Sequence, residues 1–549
     1  MFTLNEWLDR IGDWNPQLLR EIRGRLKFRT LIAVISISLL MQIVMILFFT
    51  QLTPGGVCTG SLRDPCIFVP WDRWWTNQFR ILSWLMPLIL FSNVVYTLIA
   101  DLLQEEKLGT FNFIRLSPRS SGSILIGKIL GVPMLGYITT LLFVPYHIIT
   151  SIALKTNPFF LLSYYSIVLL MTLLLGSFAV LTACLNSSST LLGSNQVSGL
   201  PIVITGITLI FVCPTFIFWN AQSIWRDQCE LFLNSAAANL NLQWFTLPIT
   251  NNSLIAHIFL LFHVGIILAL IWRLLARRFY NPDTTVISKR QSYFFTAYLN
   301  ILAIGFFVRT EEILNNNQLI DWLVLGTFYV INWILLVGIS LSVATKRQHL
   351  LDWSRYGAWR HQQRSHSSYS WGQLVQDLLW AEKSPAILAM IVNILISQIP
   401  LWLFWQVQMR GGYNPNVGLF DTPASAVTSL RFWIVQGSLC FTVLIYSLVI
   451  QLGKFLKTRN PDTWAVGAVT CLIFLPGIVL RVLSILPEKH PAVWLFFGSP
   501  WAALTAIKDS QPVFMAFAAQ LLVIGILVGL LYTKLAQGSK ALPRNSQTS

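Results

Sequence analysis

Windows of about 20 apolar residues, the length at which a helix crosses a bilayer, recur from one end of this 549-residue chain to the other. We read twelve, at about 31–50, 81–100, 124–152, 159–184, 199–219, 253–275, 292–308, 319–343, 384–408, 430–452, 464–485 and 512–534. Inside a bilayer every backbone N–H and C=O must find its partner within the protein, and a helix supplies those partners itself. The expected fold class is therefore all-α, a polytopic integral membrane protein of about 12 transmembrane helices. Only 11% of the residues are charged, against about 25% in a soluble domain. That is too little charge to cover a surface in water.

The net charge of +16 could point to nucleic acid, but its distribution argues for topology. An even number of spans puts both termini on one side. Counting span ends with the loops they adjoin, 27 of the 38 Lys and Arg fall on that side and 11 on the other. This asymmetry marks a cytoplasmic face. Both termini are expected there, with membrane lipids and no nucleic acid as partners. The first 30 residues are polar and show no short apolar core of a cleavable signal.

Residues 1–30 read as amphipathic interface helices broken at Trp14-Asn15-Pro16, with Asn15 as an N-cap and Pro16 in the tolerated first turn. Leu18, Leu19, Ile22 and Leu26 form one stripe, while Arg20, Arg23 and Lys27 lie elsewhere. Such a helix lies flat on anionic lipid; a basic flank that orients the first span is a compatible reading. The tryptophans of WDRWWTNQFRILSW (71–84) suit the headgroup boundary. Among seven cysteines, Cys58 and Cys66 share one non-cytoplasmic loop. They form a disulfide if that compartment is oxidising, or stand as two unpaired small residues. His361 and His366 have no Cys or carboxylate companions at ligand spacing, so no metal is expected. His147, His257 and His263 fall within spans and read as packing partners.

One motif invites a stronger claim. GSILIGKI (122–129) places Gly122, Gly127 and Lys128 as a phosphate-binding loop would. The next position needs a hydroxyl for Mg²⁺ and holds Ile129. A phosphate-binding loop also follows a buried strand, whereas this one follows a charged loop and enters a span. The chain is expected to bind no nucleotide, and we read the motif as a decoy.

Internal symmetry is faint. Ser117-Pro118 and Ser384-Pro385 lie 267 residues apart, and Pro133 and Pro400 share that offset. A duplicated six-helix module would pair the first six spans with the last six in this way. The longest polar stretch, 344–383, ends in WGQLVQDLLWAEKSPAIL, a surface helix leading into the ninth span.

The stretch 101–133 carries a resemblance. Glu105-Glu106-Lys107-Leu108-Gly109-Thr110, then Leu116-Ser117-Pro118, then Gly127-Lys128, together resemble the loop between spans two and three of ABC-2 type transporter permeases. The interface helix NPQLLREIRGRLKFR (15–29) is similar to one in those proteins as well. The likeness covers the first six spans well and the rest poorly. It implies a loop that couples to a separate ATP-binding cassette ATPase subunit, which would hold ATP and Mg²⁺, leaving this chain with no cofactor. Glu105, Glu106, Lys107 and Arg115 then offer charges to that partner, and Phe111, Phe113 and Ile114 an apolar anchor. Gly109 permits a turn before Thr110, and Ser117-Pro118 can cap and start a short helix. The structural alternative is that these charges stop two spans at the headgroups.

The organisation expected is 1–30 interface helices and 31–275 a six-span permease module with coupling loop 101–122. Two spans and the polar loop 344–383 occupy 276–383, four further spans 384–534, and a polar cytoplasmic tail 535–549. Six spans are usual for the family, so the second half is either a second module with a degenerate loop or six added helices. The function expected is an ATP-driven exporter's permease subunit in a prokaryotic inner membrane, not itself an enzyme, with a second permease copy as a further candidate partner. The alternative is a secondary transporter or channel driven by an ion gradient. It would need ionisable groups near span centres, and Asp and Glu fall instead in loops and at span ends.

Overall fold

The computed structural model describes residues 10–50, 71–187, 200–207, 243–245, 247–249, 252–281, 284–307, 318–363, 371–410, 426–458, 461–482 and 510–540. Cys58 and Cys66 lie outside these residues. The described chain is helical apart from one two-residue strand pair. Among the described residues six helices are long and apolar enough to cross a membrane, within Phe28–Phe49, Trp74–Lys107, Met134–Ala153, Pro158–Leu185, Ser253–Tyr280 and Phe517–Gly538. The protein is an all-α membrane protein.

It divides into two compact units. One comprises Met1–Gln243 with Leu247–Pro282, the other Trp244–Thr246 with Asp283–Ser549. The first unit closes near the end of the expected 31–275 module, and the second takes in nearly all of the three blocks expected after it, together with Trp244–Thr246 from within that module.

In the first unit α1 (Pro16–Arg25) precedes α2 (Phe28–Thr50), α3 (Trp71–Lys107), a short α4 (Thr110–Arg115), α5 (Ser121–Gly131), α6 (Met134–Ala153), α7 (Pro158–Ser187), α8 (Leu200–Ile207) and α9 (Ser253–Tyr280). The expected span 124–152 is two helices, because Pro133 lacks the N–H that would continue α5 into α6. At 37 residues α3 runs about 55 Å at 1.5 Å per residue, well beyond the roughly 30 Å hydrocarbon core. On the expected span 81–100, its last turns from Asp101 onward lie beyond the hydrocarbon. The core is built where α3 meets α6 and α7, and α7 meets α9. Phe91, Val94, Leu98, Ala179, Ala183, Leu275 and Phe279 are buried there. Lipid tails are as apolar as leucine, so close approach and hydrogen bonds must hold such helices together. Gly136 shows the first: a Cβ there would stand 2.2 Å from Asn93 Oδ1.

In the second unit α10 (Lys289–Phe307), α11 (Gln318–Val343), α12 (Arg347–Gln363), α13 (Trp371–Trp380), α14 (Ile387–Arg410), α15 (Ala426–Gly453), α16 (Pro461–Val482) and α17 (Ser510–Lys540) follow in order. The surface helix expected before the ninth span is α13. A buried polar seam joins α10 to α14 and α11. Thr296 donates to Asn393 Oδ1 at 2.7 Å, Asn393 Nδ2 to Ser292 Oγ at 3.0 Å, and Asn332 Nδ2 to Asn300 Oδ1 at 2.8 Å.

Candidate docking surface and the lysine beneath it

The region around residues 101–122 is organised by one helix contact. α5 carries Gly127 and Gly131 one turn apart, and α1 lies against that bare strip. A Cβ on Gly127 would come within 2.9 Å of Asn15 Oδ1 and Leu18 N, and one on Gly131 within 2.5 Å of Glu21 Cβ. Asn15 ties the pair together. Its Oδ1 accepts from Leu18 N at 3.1 Å, which is the expected N-cap, and its Nδ2 donates to Ser123 O at 2.7 Å. Leu18 and Ile22 are buried by this packing. Half of the stripe expected to lie on lipid, Leu18 and Ile22, thus faces protein, because glycines on α5 let a backbone come closer than lipid can; Leu19 and Leu26 are half-buried. Arg23 and Lys27 are exposed, as read.

The contact sets Glu21 over Lys128, whose side chain is 1% exposed. The Lys128 Nζ lies 2.8 Å from Glu21 Oε1, 2.7 Å from Asp101 Oδ2 and 2.7 Å from Glu105 Oε1. An ammonium has three N–H donors, one for each carboxylate. Arg20 reaches Glu105 at 2.7 Å, and Arg25 pairs with Asp101 and, at 3.5 Å, with Glu21. Three carboxylates face three cations, so the charge of the cluster balances. Oxygens of Glu21, Asp101 and Glu105 lie within 4.8 Å of one another, a spacing that could hold a metal. The Lys128 ammonium stands among them as their counter-ion.

Above this base the chain turns. Gly109 has φ of +75°, the left-handed region that favours glycine, so the turn read there is present. Thr110 opens α4 and its Oγ1 donates to Glu105 O at 3.1 Å. Phe111 and Ile114 are buried. The Phe111 ring meets Phe279 edge-on at 5.9 Å and carries the Arg115 guanidinium 4.4 Å from its centre. Burial raises the Glu106 carboxyl above its usual range, and Arg115 opposes the rise. Outward stand Leu108, Phe113 and Leu116, at 67%, 80% and 85% exposure. Lys107, Pro118 and Arg119 are exposed beside them, and Ser117 is half-buried.

Several assigned residues therefore take other places than expected. Glu105 turns inward to Lys128 and Arg20 and presents no free charge. Of the three apolar anchors only Phe113 faces out, joined by Leu108 and Leu116, which sequence reasoning missed. A short helix of six residues shows alternate faces to core and solvent, and only the position of α9 decides which. The cap of α5 is Ser120, whose Oγ accepts from Ser123 N at 3.3 Å, and not Ser117. The lysine hub was also missed. Its signal was present as Gly127-x-x-x-Gly131, a spacing for close helix contact, around a lysine beside an apolar span.

His147 is buried between α3, α6 and α7. Its Nε2 meets Ser83 Oγ at 3.0 Å and its Nδ1 meets Tyr165 OH at 2.8 Å. Ser83 gives its own proton to Phe79 O at 2.8 Å, so Nε2 is the donating nitrogen and Nδ1 accepts from Tyr165. This joins three helices, as the packing role implied. His257 similarly meets Ser163 at 2.6 Å. No family model matches this chain, and neither a curated protein nor a solved structure does.

Proposed function

We propose that this chain is the membrane subunit of an ABC-2 type exporter, twelve spans with both termini cytoplasmic, in a prokaryotic inner membrane. A separate ATPase subunit binds ATP and Mg²⁺ and docks on residues 107–119. The observation that supports this reading is an exposed apolar tip, Leu108, Phe113 and Leu116, standing on a base held by a six-charge network centred on the buried Lys128. Solvated loops have no use for such a pairing. A lever does, since a push on the tip passes through Glu105 and Lys128 to α1, α3 and α5 together. ATP-driven closure of the partner would shift the first unit between two packings, which requires that the partner bind the two unequally. With Glu105 turned inward, the exposed charges beside the tip are Lys107 and Arg119. The partner's groove is therefore apolar with an acidic rim.

Phe113→Asp with Leu116→Asp tests this. Both side chains are exposed, so folding and insertion are expected to be unchanged. Loss of a central apolar anchor costs on the order of 2 kcal/mol in an interface, so recovery of the ATPase subunit is expected to fall at least about tenfold. Export should fall in parallel, while wild-type export outlasts an uncoupler as long as ATP remains. Undiminished recovery of the ATPase subunit with the double variant would remove the docking assignment.

A further inference from the structure

Where α2 meets α3 and α6, the first unit buries polar atoms that the protein itself does not bond. Ser38 on α2 and Gln78 on α3 are both 0% exposed. Neither Ser38 Oγ nor either amide atom of Gln78 has a hydrogen-bond partner, and the same holds for Asn93 Oδ1 on α3 and Tyr146 OH on α6. α2 packs on α3 and α6, so Ser38 faces this contact, and Gly136 of α6 stands against Asn93. Trp74, Gln78 and Leu82 form one row along α3. Trp74 and Leu82 pack with Met45 and Phe49 of α2 and with Phe143 and Tyr146 of α6. Other hydroxyls of these helices bond their own backbone: Ser92, Thr97, Thr139 and Thr140 each donate to a carbonyl one turn back. Ser38 does not.

Two bonds give the depths. Trp74 Nε1 donates to Phe49 O at 2.9 Å, and Gln42 Nε2 to Leu142 O at 3.1 Å. At 1.5 Å per residue, Gln78 and Tyr146 stand about 5 Å in from the Phe49 end, Ser38 about 16 Å and Asn93 about 29 Å. The four therefore form a track across most of a hydrocarbon core of roughly 30 Å. All are uncharged, and each lacks a partner at a depth where an unmet polar group is costly. The other side of α2 is exposed at Leu40, Ile43 and Val44. This helix has lipid on one side and the polar track on the other.

We propose that this track is the path of the cargo, and that the cargo is a lipid with an uncharged, hydroxyl-bearing headgroup. The inference rests on the exporter reading above. The track is closed in this structure, and parting α2 from α3 and α6 would open it sideways to the bilayer. The headgroup then passes from one set of polar atoms to the next while its tails stay in lipid. A hydroxyl suits every stop because it both donates and accepts, as the amide and the phenol do, and the Asn93 oxygen needs only a donor. An ionised headgroup would find no counter-ion among the four.

The test is native mass spectrometry of the purified chain with monoglucosyl dioleoylglycerol as the probe. The wild type is expected to retain it saturably, and Gln78→Leu with Tyr146→Phe to weaken retention at least about tenfold, as loss of hydrogen bonds to buried groups would. Dioleoylphosphatidylglycerol, with the same tails and an ionised headgroup, should compete poorly. Without the probe the double variant should melt no lower than wild type, since apolar groups of similar shape replace buried ones that lack partners. A lower midpoint would show that those groups are paired, and would overturn the proposal. So would unchanged retention by the variant, or a preference for phosphatidylglycerol. Proteoliposomes holding the ATPase subunit separate cargo from a resident lipid. ATP-driven transfer of a fluorescent glucosyl lipid between leaflets, lost in the double variant, marks cargo; a bound lipid that ATP does not move overturns the path. If the wild type recovers no ATPase subunit, the exporter reading fails and the cargo role with it. An ATPase subunit recovered with no glucosyl lipid bound sinks this inference alone.

Discussion

Lys128 shows how much one side chain can decide. In the sequence it completes a nucleotide-binding pattern; in the fold its three protons are taken by Glu21, Asp101 and Glu105. It has no donor left for a phosphate, and Gly127 is occupied by α1. Removing one partner of a buried ionic cluster leaves uncompensated charge and costs about 3–5 kcal/mol. Lys128→Met is therefore expected to lower the thermal midpoint of the purified protein by several degrees or more, and Glu105→Gln beside it to restore part of the loss. Thermal unfolding in detergent measures both; a Lys128→Met protein as stable as wild type would show that the cluster contributes nothing. The same geometry disqualifies Glu105→Lys as a docking test. It would set a new cation against Lys128 and Arg20, so lost export would report a broken base and not a lost partner.

Between elements, the α1–α5 contact depends on two absent side chains. Gly127→Ala and Gly131→Ala each force a methyl against Leu18 N or Glu21, overpacking of a kind that costs about 1–3 kcal/mol. Both are expected to loosen α1 and speed tryptic cleavage at Arg20, Arg23 and Arg25. Gly122→Ala, where a Cβ meets open space, is the control and should cleave as wild type; equal rates for all three would contradict the packing. Legibility follows the same division. Asn15 and Pro16 could be read because capping involves residues three apart, and the surface helix α13 because its apolar period is local. The facing of the Leu18 stripe and of Phe111 could not, since each depends on a helix more than 100 residues distant along the chain, and that of Glu105 depends on Lys128, 23 residues on, and Arg20, 85 residues back.

For the whole molecule, the proposed topology predicts that reporter fusions at Arg544 and Ser223 report opposite compartments, and identical signals would refute the span count. The polar seam was not legible in the sequence: Ser292, Thr296 and Asn300 merely weaken the hydropathy of α10 until their partners are placed. Those partners arrive late. Asn332 lies 32 residues after Asn300, and Asn393 lies 97 after Thr296. On the proposed topology α10 is a span made before either partner exists. Its own carbonyls take the side-chain donors of Ser292, Thr296 and Asn300 meanwhile, so the helix can enter lipid, where an unmet donor is costly, ahead of its neighbours. The seam between helices is complete only after α14 has been translated.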